Sequence, residues 1–278
     1  NGITDLTARC FLSYGSTLYT GVENVGVYTS TNNGVSWALS SDGMKSDYVR
    51  SLLFNGTELV ASSNINGLFV SGNAGNSWVA SNNGFSVNNQ QGVFAFGTML
   101  FCGTNYSNAY RSLDNGLSWT PSGTGITNPN VFTFTSRANH LFAGTLGSGV
   151  FVSNDSGVTW TDASNGLTDL VISSLISEGT YVYAGTFDSG IFVSADDGVT
   201  WMPANNGLSN SKILCLANEG TNIYAGTNGG GVFITSDHGA TWNAAGAGLP
   251  NQQINALAHF GGYLFAGVYA NGVFISSD

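Results

Sequence analysis

The chain has 278 residues, of which 42% are hydrophobic and 8% are charged, so it can bury a sizeable core and is not a disordered segment. Sixteen acidic residues against six basic ones give a net charge of −10, which repels phosphate backbones, and we expect no nucleic-acid partner. No window approaches the ~18 consecutive apolar residues of a transmembrane helix, so we also expect no membrane span.

An internal repeat of 41 residues runs through the whole chain. Its marker is tryptophan, which recurs at Trp37, Trp78, Trp119, Trp160, Trp201 and Trp242. The repeats cover residues 1–41, 42–82, 83–123, 124–164, 165–205, 206–246 and 247–278, and the second residue of all seven is glycine. Positions are numbered below from the first residue of each repeat. Repeats stacked without a gap predict a single domain over residues 1–278.

Each repeat predicts four short β-strands. In the fifth repeat the strands are expected at residues 171–177, 181–185 and 191–194, with a fourth starting at Trp201. These runs are β-branched or aromatic, Gly, Asp and Ser separate them, and none has helical periodicity. Four strands per repeat of about 41 residues are typical of a β-propeller blade, with the first, most apolar strand innermost. The sequence therefore predicts an all-β, seven-bladed propeller.

The two ends of the chain leave the last blade incomplete. The seventh repeat stops at Asp278, before the position of its fourth strand. Residues 1–6 match residues 165–170, which follow a fourth strand, so the N-terminal segment does not supply the missing one. We expect either that the sequence is part of a longer chain, or that the last blade has an open outer edge that a partner or tail covers.

A turn motif precedes each tryptophan. In the fourth repeat it consists of Ser153, Asp155, Gly157 and Thr159. Position 32 holds the acid or its amide in every repeat: Asn32, Asn73, Asp114, Asp155, Asp196, Asp237 and Asp278. Such an oxygen accepts backbone N–H bonds and the glycine supplies a positive φ, so we interpret the motif as structural. The spacing lacks the alternating oxygen ligands of an EF-hand loop, and we expect no metal and no cofactor.

The motif resembles the Asp-box, or bacterial neuraminidase repeat, of sialidases, xyloglucanases, sortilin-type receptors and photosystem II assembly factors. The resemblance covers the whole chain and implies a propeller. A sialidase of this kind needs three converging arginines, but of the four present Arg111 lies in a third strand and Arg137 at the far end of an inner strand. The low charge and many Asn, Ser and Gly residues resemble extracellular bacterial propellers, which implies a secreted or cell-surface location.

Variation among the repeats is concentrated at positions 5–9 and 23–25. Strand alternation places both on the face opposite the turn motif, and loops on a rigid scaffold commonly carry binding sites. The candidate ligand-binding residues are Arg9, Glu23, Asp47, Tyr48, Arg50, Gln91, Tyr106, Phe132, Phe187, Asp188 and Tyr269. Aromatic, amide and acidic side chains suit a glycan, or they simply line the channel mouth. Arg9 and Arg50 share position 9, so they either bind a carboxylate or form a salt bridge with Glu23 or Asp47.

The predicted function is a non-catalytic binding or scaffold propeller that recognises a glycan or a protein. Because the variable face differs from blade to blade, with no sugar-contacting residue recurring at a fixed position, the pocket is expected to be single. The alternative is a glycoside hydrolase, which needs two carboxylates about 5–9.5 Å apart, such as Asp47 and Asp188. The loops have no insertions that would build a deep cleft, so no catalytic residue is assigned.

Overall fold

The computed structural model describes residues 2–3, 7–44, 48–86, 89–249 and 253–276. The described residues form 27 β-strands and no helix, so none of them belongs to a helix long and apolar enough to cross a membrane. The strands make six antiparallel sheets of four strands and a last sheet of three, each in simple chain order. The seven-bladed all-β propeller is thereby confirmed, as is the three-stranded last blade.

The strand bounds follow the repeat. Blade 1 contains β1 (Ala8–Tyr14), β2 (Thr17–Val22), β3 (Gly26–Ser30) and β4 (Ala38–Leu39). Blade 2 contains β5 (Val49–Phe54), β6 (Leu59–Ser63), β7 (Gly67–Ser71) and β8 (Val79–Ala80). Blade 3 contains β9 (Gln90–Phe96), β10 (Met99–Thr104), β11 (Ala109–Ser112) and β12 (Thr120–Pro121). Blade 4 contains β13 (Val131–Arg137), β14 (His140–Thr145), β15 (Val150–Ser153) and β16 (Thr161–Asp162).

The second half of the ring repeats the same pattern. Blade 5 contains β17 (Ile172–Glu178), β18 (Tyr181–Thr186), β19 (Ile191–Ser194) and β20 (Met202–Pro203). Blade 6 contains β21 (Ile213–Glu219), β22 (Asn222–Thr227), β23 (Val232–Thr235) and β24 (Asn243–Ala244). Blade 7 contains β25 (Ile254–Phe260), β26 (Tyr263–Val268) and β27 (Gly272–Ser276).

The first strands line the axis, and the ring closes where the last blade meets the first. Each first strand packs on the next around the ring, and β25 packs on β1. The seam between blades 7 and 1 contains Leu18, Tyr28 and Trp37 from blade 1 together with Phe265 from blade 7. Within the described residues no strand is exchanged between the ends of the chain, so apolar packing holds this seam.

Tryptophan fills the seams between blades. Six apolar clusters between neighbouring blades contain one tryptophan each: Trp37, Trp78, Trp119, Trp160, Trp201 and Trp242. Trp201 is 1% exposed, and its Nε1 donates to the carbonyl of Ala163 in the preceding blade at 2.7 Å. The repeated indole therefore joins blades both by apolar burial and by a hydrogen bond.

The glycine at position 2 is required by the same tryptophan. Gly166 has a φ of +98°, and a Cβ there would lie 2.2 Å from the carbonyl oxygen of Trp201. The corresponding distance in the other five complete blades is 2.0–2.2 Å. Both the backbone conformation and the close approach explain why glycine recurs at this position.

The turn before each tryptophan is a closed hydrogen-bonded unit on one face of the ring. Asp155 Oδ1 accepts from the Ser153 hydroxyl at 2.8 Å and from the Thr159 N–H at 2.9 Å. Its Oδ2 accepts from the Thr159 hydroxyl at 2.6 Å, and these bonds hold the pKa of Asp155 at about 2. Equivalent bonds from Ser118, Thr200 and Thr241 lower the pKa of Asp114, Asp196 and Asp237.

Asparagine builds the same turn in the first two blades. Asn32 Oδ1 accepts from the Ser36 N–H at 2.9 Å, and its Nδ2 donates to the Ser36 hydroxyl at 2.8 Å. Asn73 does the same with Ser77 at the same distances. Asp278 lies outside the described residues.

Candidate binding site at the channel mouth

A β-bulge directs position 9 of every blade into the central channel. In blade 1, Ala8 pairs with Val22 and Cys10 with Gly21, so Arg9 has no partner across the ladder. The same register shift occurs near the start of the first strand in the other six blades. Since a bulge re-aims a side chain, seven position-9 residues face one axial space.

These residues line a single axial cavity of about 440 Å³. The seven position-9 residues that line it are Arg9, Arg50, Gln91, Phe132, Ser173, Leu214 and Asn255. Phe187 and Leu146, both at position 23, add to its wall, as do the backbone-paired Val171 and Gln253 at position 7. Apart from the two arginines of blades 1 and 2, each blade contributes a different side chain at this position, so the cavity has no internal symmetry.

Position 23 forms an outer tier tied to the inner strands. In all seven blades its backbone N–H donates to the carbonyl of position 7 at 2.8–3.1 Å. The seven residues of this tier are Glu23, Asn64, Asn105, Leu146, Phe187, Asn228 and Tyr269. The backbone of the mouth is therefore the same throughout, whereas its side chains vary.

Arg9 is paired within its own blade. Its Nε and Nη2 donate to Glu23 Oε2 at 3.0 and 2.5 Å. Its guanidinium also lies 5.2 Å from the ring centroid of Tyr48 and 5.8 Å from that of Tyr269. Of the two hypotheses for this arginine, the structure therefore shows the salt bridge, with Glu23 as the partner.

Arg50 occupies the same position in blade 2 but lacks a carboxylate among the described residues. Position 23 of its blade is Asn64, which instead accepts a hydrogen bond from Gln91 at 2.6 Å. The guanidinium lies between aromatic rings, 4.4 Å from the centroid of Tyr48 and 5.9 Å from that of Phe132. Burial lowers the pKa of Arg50, and the neighbouring charge of Arg9 adds to this effect. Asp47, the other predicted partner, lies outside the described residues.

Three buried polar atoms at the cavity make no hydrogen bond within the described part of the chain: Arg50 Nε, Gln91 Oε1 and Asn255 Nδ2. Their residues all line the cavity. Gln91 is 1% exposed, and its Nε2 donates to both Asn64 and Asn89. An unpaired buried polar atom costs ~1–3 kcal/mol, so two donors and one acceptor without described partners in one cavity are energetically costly.

Most aromatic side chains of the mouth have a cation near the ring, although Phe187 and Tyr269 remain 38% and 46% exposed. Besides the arginines over Tyr48, Phe132 and Tyr269, Lys212 Nζ lies 5.2 Å from the centroid of Phe187. Tyr106 differs, because it is 74% exposed and its backbone N–H donates to Asn130 Oδ1 at 3.0 Å. A sugar ring needs an uncovered aromatic face for stacking, and Tyr106 offers one.

Carboxylates do not line the cavity among the described residues. Glu23 is held by Arg9, and Asp188 lies 3.4 Å from Lys212 Nζ at the exposed rim. Asp169 Oδ1 accepts from the Val171 N–H and its Oδ2 from the Asp188 N–H, so this acid caps a loop. No pair of free carboxylates faces the axial space in the described ranges.

The structure places several of the predicted residues at this cavity or beside it. Arg9, Arg50, Gln91, Phe132 and Phe187 line the cavity, and Glu23, Tyr48, Asp188 and Tyr269 lie around it through the contacts above. Ser173, Leu214 and Asn255 were missed. Their shared position 9 in the repeat was the signal that could have identified them.

Comparisons with known proteins identify the fold as a β-propeller. A family described as the DUF6242 beta propeller domain matches residues 140–261. A search of curated proteins finds no match. Among solved structures, YCF48 bound to D1 peptide has a TM-score of 0.76 at 14% identity, covering 99% of this chain and 94% of that one.

Two other solved structures have a similar fold. U3-55K has a TM-score of 0.78 at 13% identity, covering 99% of this chain and 96% of that one. The extracellular domain of the hybrid two component system BT3049 from B. thetaiotaomicron has a TM-score of 0.82 at 12% identity. This chain is covered fully by that alignment but spans only 41% of that protein. At such identities the likeness shows the fold alone.

Proposed function

We propose that this propeller is a non-catalytic binding module that recognises a carboxylate-bearing segment of a peptide at the axial cavity. The observation that carries the proposal is Arg50, a half-buried guanidinium held between two aromatic rings with no described carboxylate partner. Buried guanidinium groups are stabilised by planar anions, which they bind through two parallel hydrogen bonds.

The other unpaired atoms fit the same class of ligand. A peptide offers carbonyl oxygens to Asn255 Nδ2 and N–H groups to Gln91 Oε1, whereas its carboxylate meets Arg50. The charge distribution supports an anionic group, since three of the six basic residues, Arg9, Arg50 and Lys212, are at the mouth of a chain with net charge −10. The YCF48 structure with its D1 peptide supports a peptide as ligand on this fold.

A glycan is the second class of ligand considered for the same mouth, with the exposed ring of Tyr106 as its stacking surface. A cation already lies against Tyr48, Phe132, Phe187 and Tyr269, which favours an anionic peptide over the stacking of a sugar. A glycan array containing uronic acids separates the two. Two results together would replace the peptide proposal by the glycan one. The chain would bind a glycan that Tyr106→Ala no longer binds, and it would bind no acidic peptide.

The direct experiment is a peptide array of acidic and neutral sequences, with and without free C-terminal carboxylates, probed with the whole chain. Arg50→Gln is expected to weaken binding of the retained peptides at least about tenfold. Arg111→Gln is the matched control, because it removes the same charge from a third strand where Arg111 donates to Ser156 O. Equal binding by Arg50→Gln and the unmodified chain would contradict the proposal.

We also propose that the chain belongs to the Asp-box propellers and works outside the cell. The spacing and hydrogen bonds of the turns support the first statement. Two neighbours described as extracellular domains from B. thetaiotaomicron support the second, together with the low charge of the chain. Fractionation of the source cells with an antibody against the chain tests the location.

A further inference from the structure

The wall of the axial cavity is divided into a polar arc and an apolar arc. The polar arc is formed by the consecutive blades 7, 1, 2 and 3, and its larger side chains are Gln253, Asn255, Arg9, Arg50 and Gln91. The apolar arc is formed by blades 4, 5 and 6, and its larger side chains are Phe132, Leu146, Val171, Phe187 and Leu214. A ligand in the cavity therefore meets hydrogen-bonding groups on one side and apolar carbon on the other.

The polar atoms of the two arcs differ in whether the scaffold already bonds them. On the apolar arc, Ser173 Oγ donates to a carbonyl of blade 6 at 2.6 Å, and Ser174 Oγ accepts from an N–H of blade 6 at 3.1 Å. The buried cavity atoms that make no hydrogen bond in the described ranges all belong to the polar arc, on Arg50, Gln91 and Asn255. The polar arc is thus the side on which a ligand gains most from its polar groups.

The number of blades sets the two arcs opposite each other. In a closed ring of seven, blade 5 lies across the channel from blades 1 and 2. Arg9 and Arg50 are therefore opposite Val171 and Phe187, which line the cavity from blade 5. The guanidinium of Arg50 is also 5.9 Å from the ring centroid of Phe132, where the apolar arc begins. A group bound by Arg50 consequently has apolar surface within about one side-chain length.

The apolar arc keeps surface that a ligand can cover. Phe187 is exposed and Leu214 is half-buried, so an apolar ligand side chain packed on them removes further carbon surface from water. Lys212 and Asp188 form an ion pair beside Phe187 at the rim, but neither lines the cavity. The cavity volume of about 440 Å³ is near the lower end of the ~300–1,000 Å³ of small-ligand pockets, so it suits one or two ligand residues.

We propose that the cavity recognises a carboxylate that is directly next to a bulky apolar side chain, within an extended peptide segment. Successive side chains of an extended chain point to opposite sides, as the two arcs require. The carboxylate binds Arg50, and the neighbouring Leu, Ile or Phe side chain packs on Phe187 and Leu214. The inference rests on the proposed function, because it takes the carboxylate at Arg50 as given, and it adds the residues that determine specificity.

Two kinds of peptide offer this pair of groups, and fluorescence anisotropy with the whole chain distinguishes them. The first probe is a labelled, C-terminally amidated peptide with Asp-Leu at its centre and only Gly and Ser around it. It is expected to bind at least about tenfold more tightly than its Asp-Ser counterpart. The second probe has no Asp and ends in Leu with a free carboxylate. Whichever of the two Leu peptides binds more tightly identifies the source of the carboxylate.

Substitutions on the apolar arc test which residues determine the preference for Leu. Leu214→Asn introduces the residue that blade 7 has at the same position, Asn255, so the backbone accommodates it. It is expected to reduce the preference for Asp-Leu over Asp-Ser to less than about threefold, with the affinity for Asp-Ser unchanged. Phe187→Ser is the second variant, since this side chain is exposed and its loss leaves the core intact. Leu117→Asn is the matched control, because Leu117 is exposed on the turn face.

The arginine variant separates this inference from the proposed function. Arg50→Gln is expected to weaken both Asp peptides by a similar factor and to keep the preference for Leu. Acidic peptides that bind through Arg50 equally well with Leu or Ser beside the Asp would overturn the inference and leave the proposed function standing. An unchanged preference in both Leu214→Asn and Phe187→Ser would also overturn it. Absence of binding by every carboxylate peptide would overturn the inference and the proposed function together.

Discussion

The two faces of the ring are built from the same backbone and differ in how the side chains repeat. On the turn face, one hydrogen-bonded unit recurs with Asn or Asp at position 32, and its members bond each other. At the channel mouth, six different residue types occupy position 9 of the seven blades, and three of these side chains leave a buried polar atom without a described partner. Repetition thus accompanies satisfied hydrogen bonds, and divergence accompanies unsatisfied polar groups at the place where we propose that a ligand binds.

The largest expected effect comes from breaking the repeated part. Gly166→Ala is expected to reduce the free energy of unfolding by about 3 kcal/mol or more, because it combines a φ of +98° with a Cβ 2.2 Å from Trp201 O. Gly248→Ala shares the positive φ but has open space, so about 1 kcal/mol of backbone strain is expected. Urea unfolding measures both. Equal losses of unfolding free energy in the two variants would show that the close approach to the tryptophan carbonyl is not the reason for glycine at position 2.

An intermediate effect is expected from the divergent part. Arg9→Leu leaves Glu23, which is 24% exposed, without its ion-pair partner. We expect this to lower the free energy of unfolding by about 1–2 kcal/mol. Arg50→Leu removes a half-buried charge that has no carboxylate partner among the described residues, together with its aromatic contacts, so we expect a change below about 1 kcal/mol. Urea unfolding of the two variants compares them at identical net charge. A larger loss for Arg50→Leu would mean that this arginine serves stability rather than ligand binding.

The repeat made most of the fold predictable. Residues 191–194 were predicted as a strand and form Ile191–Ser194, and the run predicted at 181–185 forms Tyr181–Thr186. The fourth strand begins at Met202 rather than Trp201. The reason is that the Trp201 N–H donates to Asn165 O in the preceding loop, so it is not available to the ladder.

The site was less predictable because it depends on backbone register. A bulge adds one residue to a strand without leaving a mark in the hydrophobic pattern, so Ser173 and Asn255 could not be placed in the channel from strand alternation. The partner of each arginine depends on position 23 of its own blade. That residue is Glu23 beside Arg9 but Asn64 in the blade of Arg50, and this pairing needs the three-dimensional structure.

The smallest expected effect tests why both Asn and Asp occur in the turns. The Thr159 side chain and backbone, followed by Ser153, hold the pKa of Asp155 at about 2, below its ordinary value of 3.8. Because the ionised form is favoured in the folded state, its stabilisation is complete above the ordinary pKa and is lost as the pH falls through about 2. Asp155→Asn keeps the Oδ1 acceptor, as Asn32 does, and loses only the charge.

Thermal unfolding of the unmodified chain and Asp155→Asn between pH 7 and pH 2 measures the difference. The Tm of the variant should be lower by no more than about 2 °C at pH 7, and the gap should close between pH 4 and pH 2. The reverse change, Asn32→Asp, should add a pH dependence in the same interval, because Ser36 then bonds a carboxylate in place of an amide. Parallel Tm curves down to pH 2 for all three proteins would show that the carboxylate charge contributes nothing to the turn, and that its oxygen geometry alone explains the repetition.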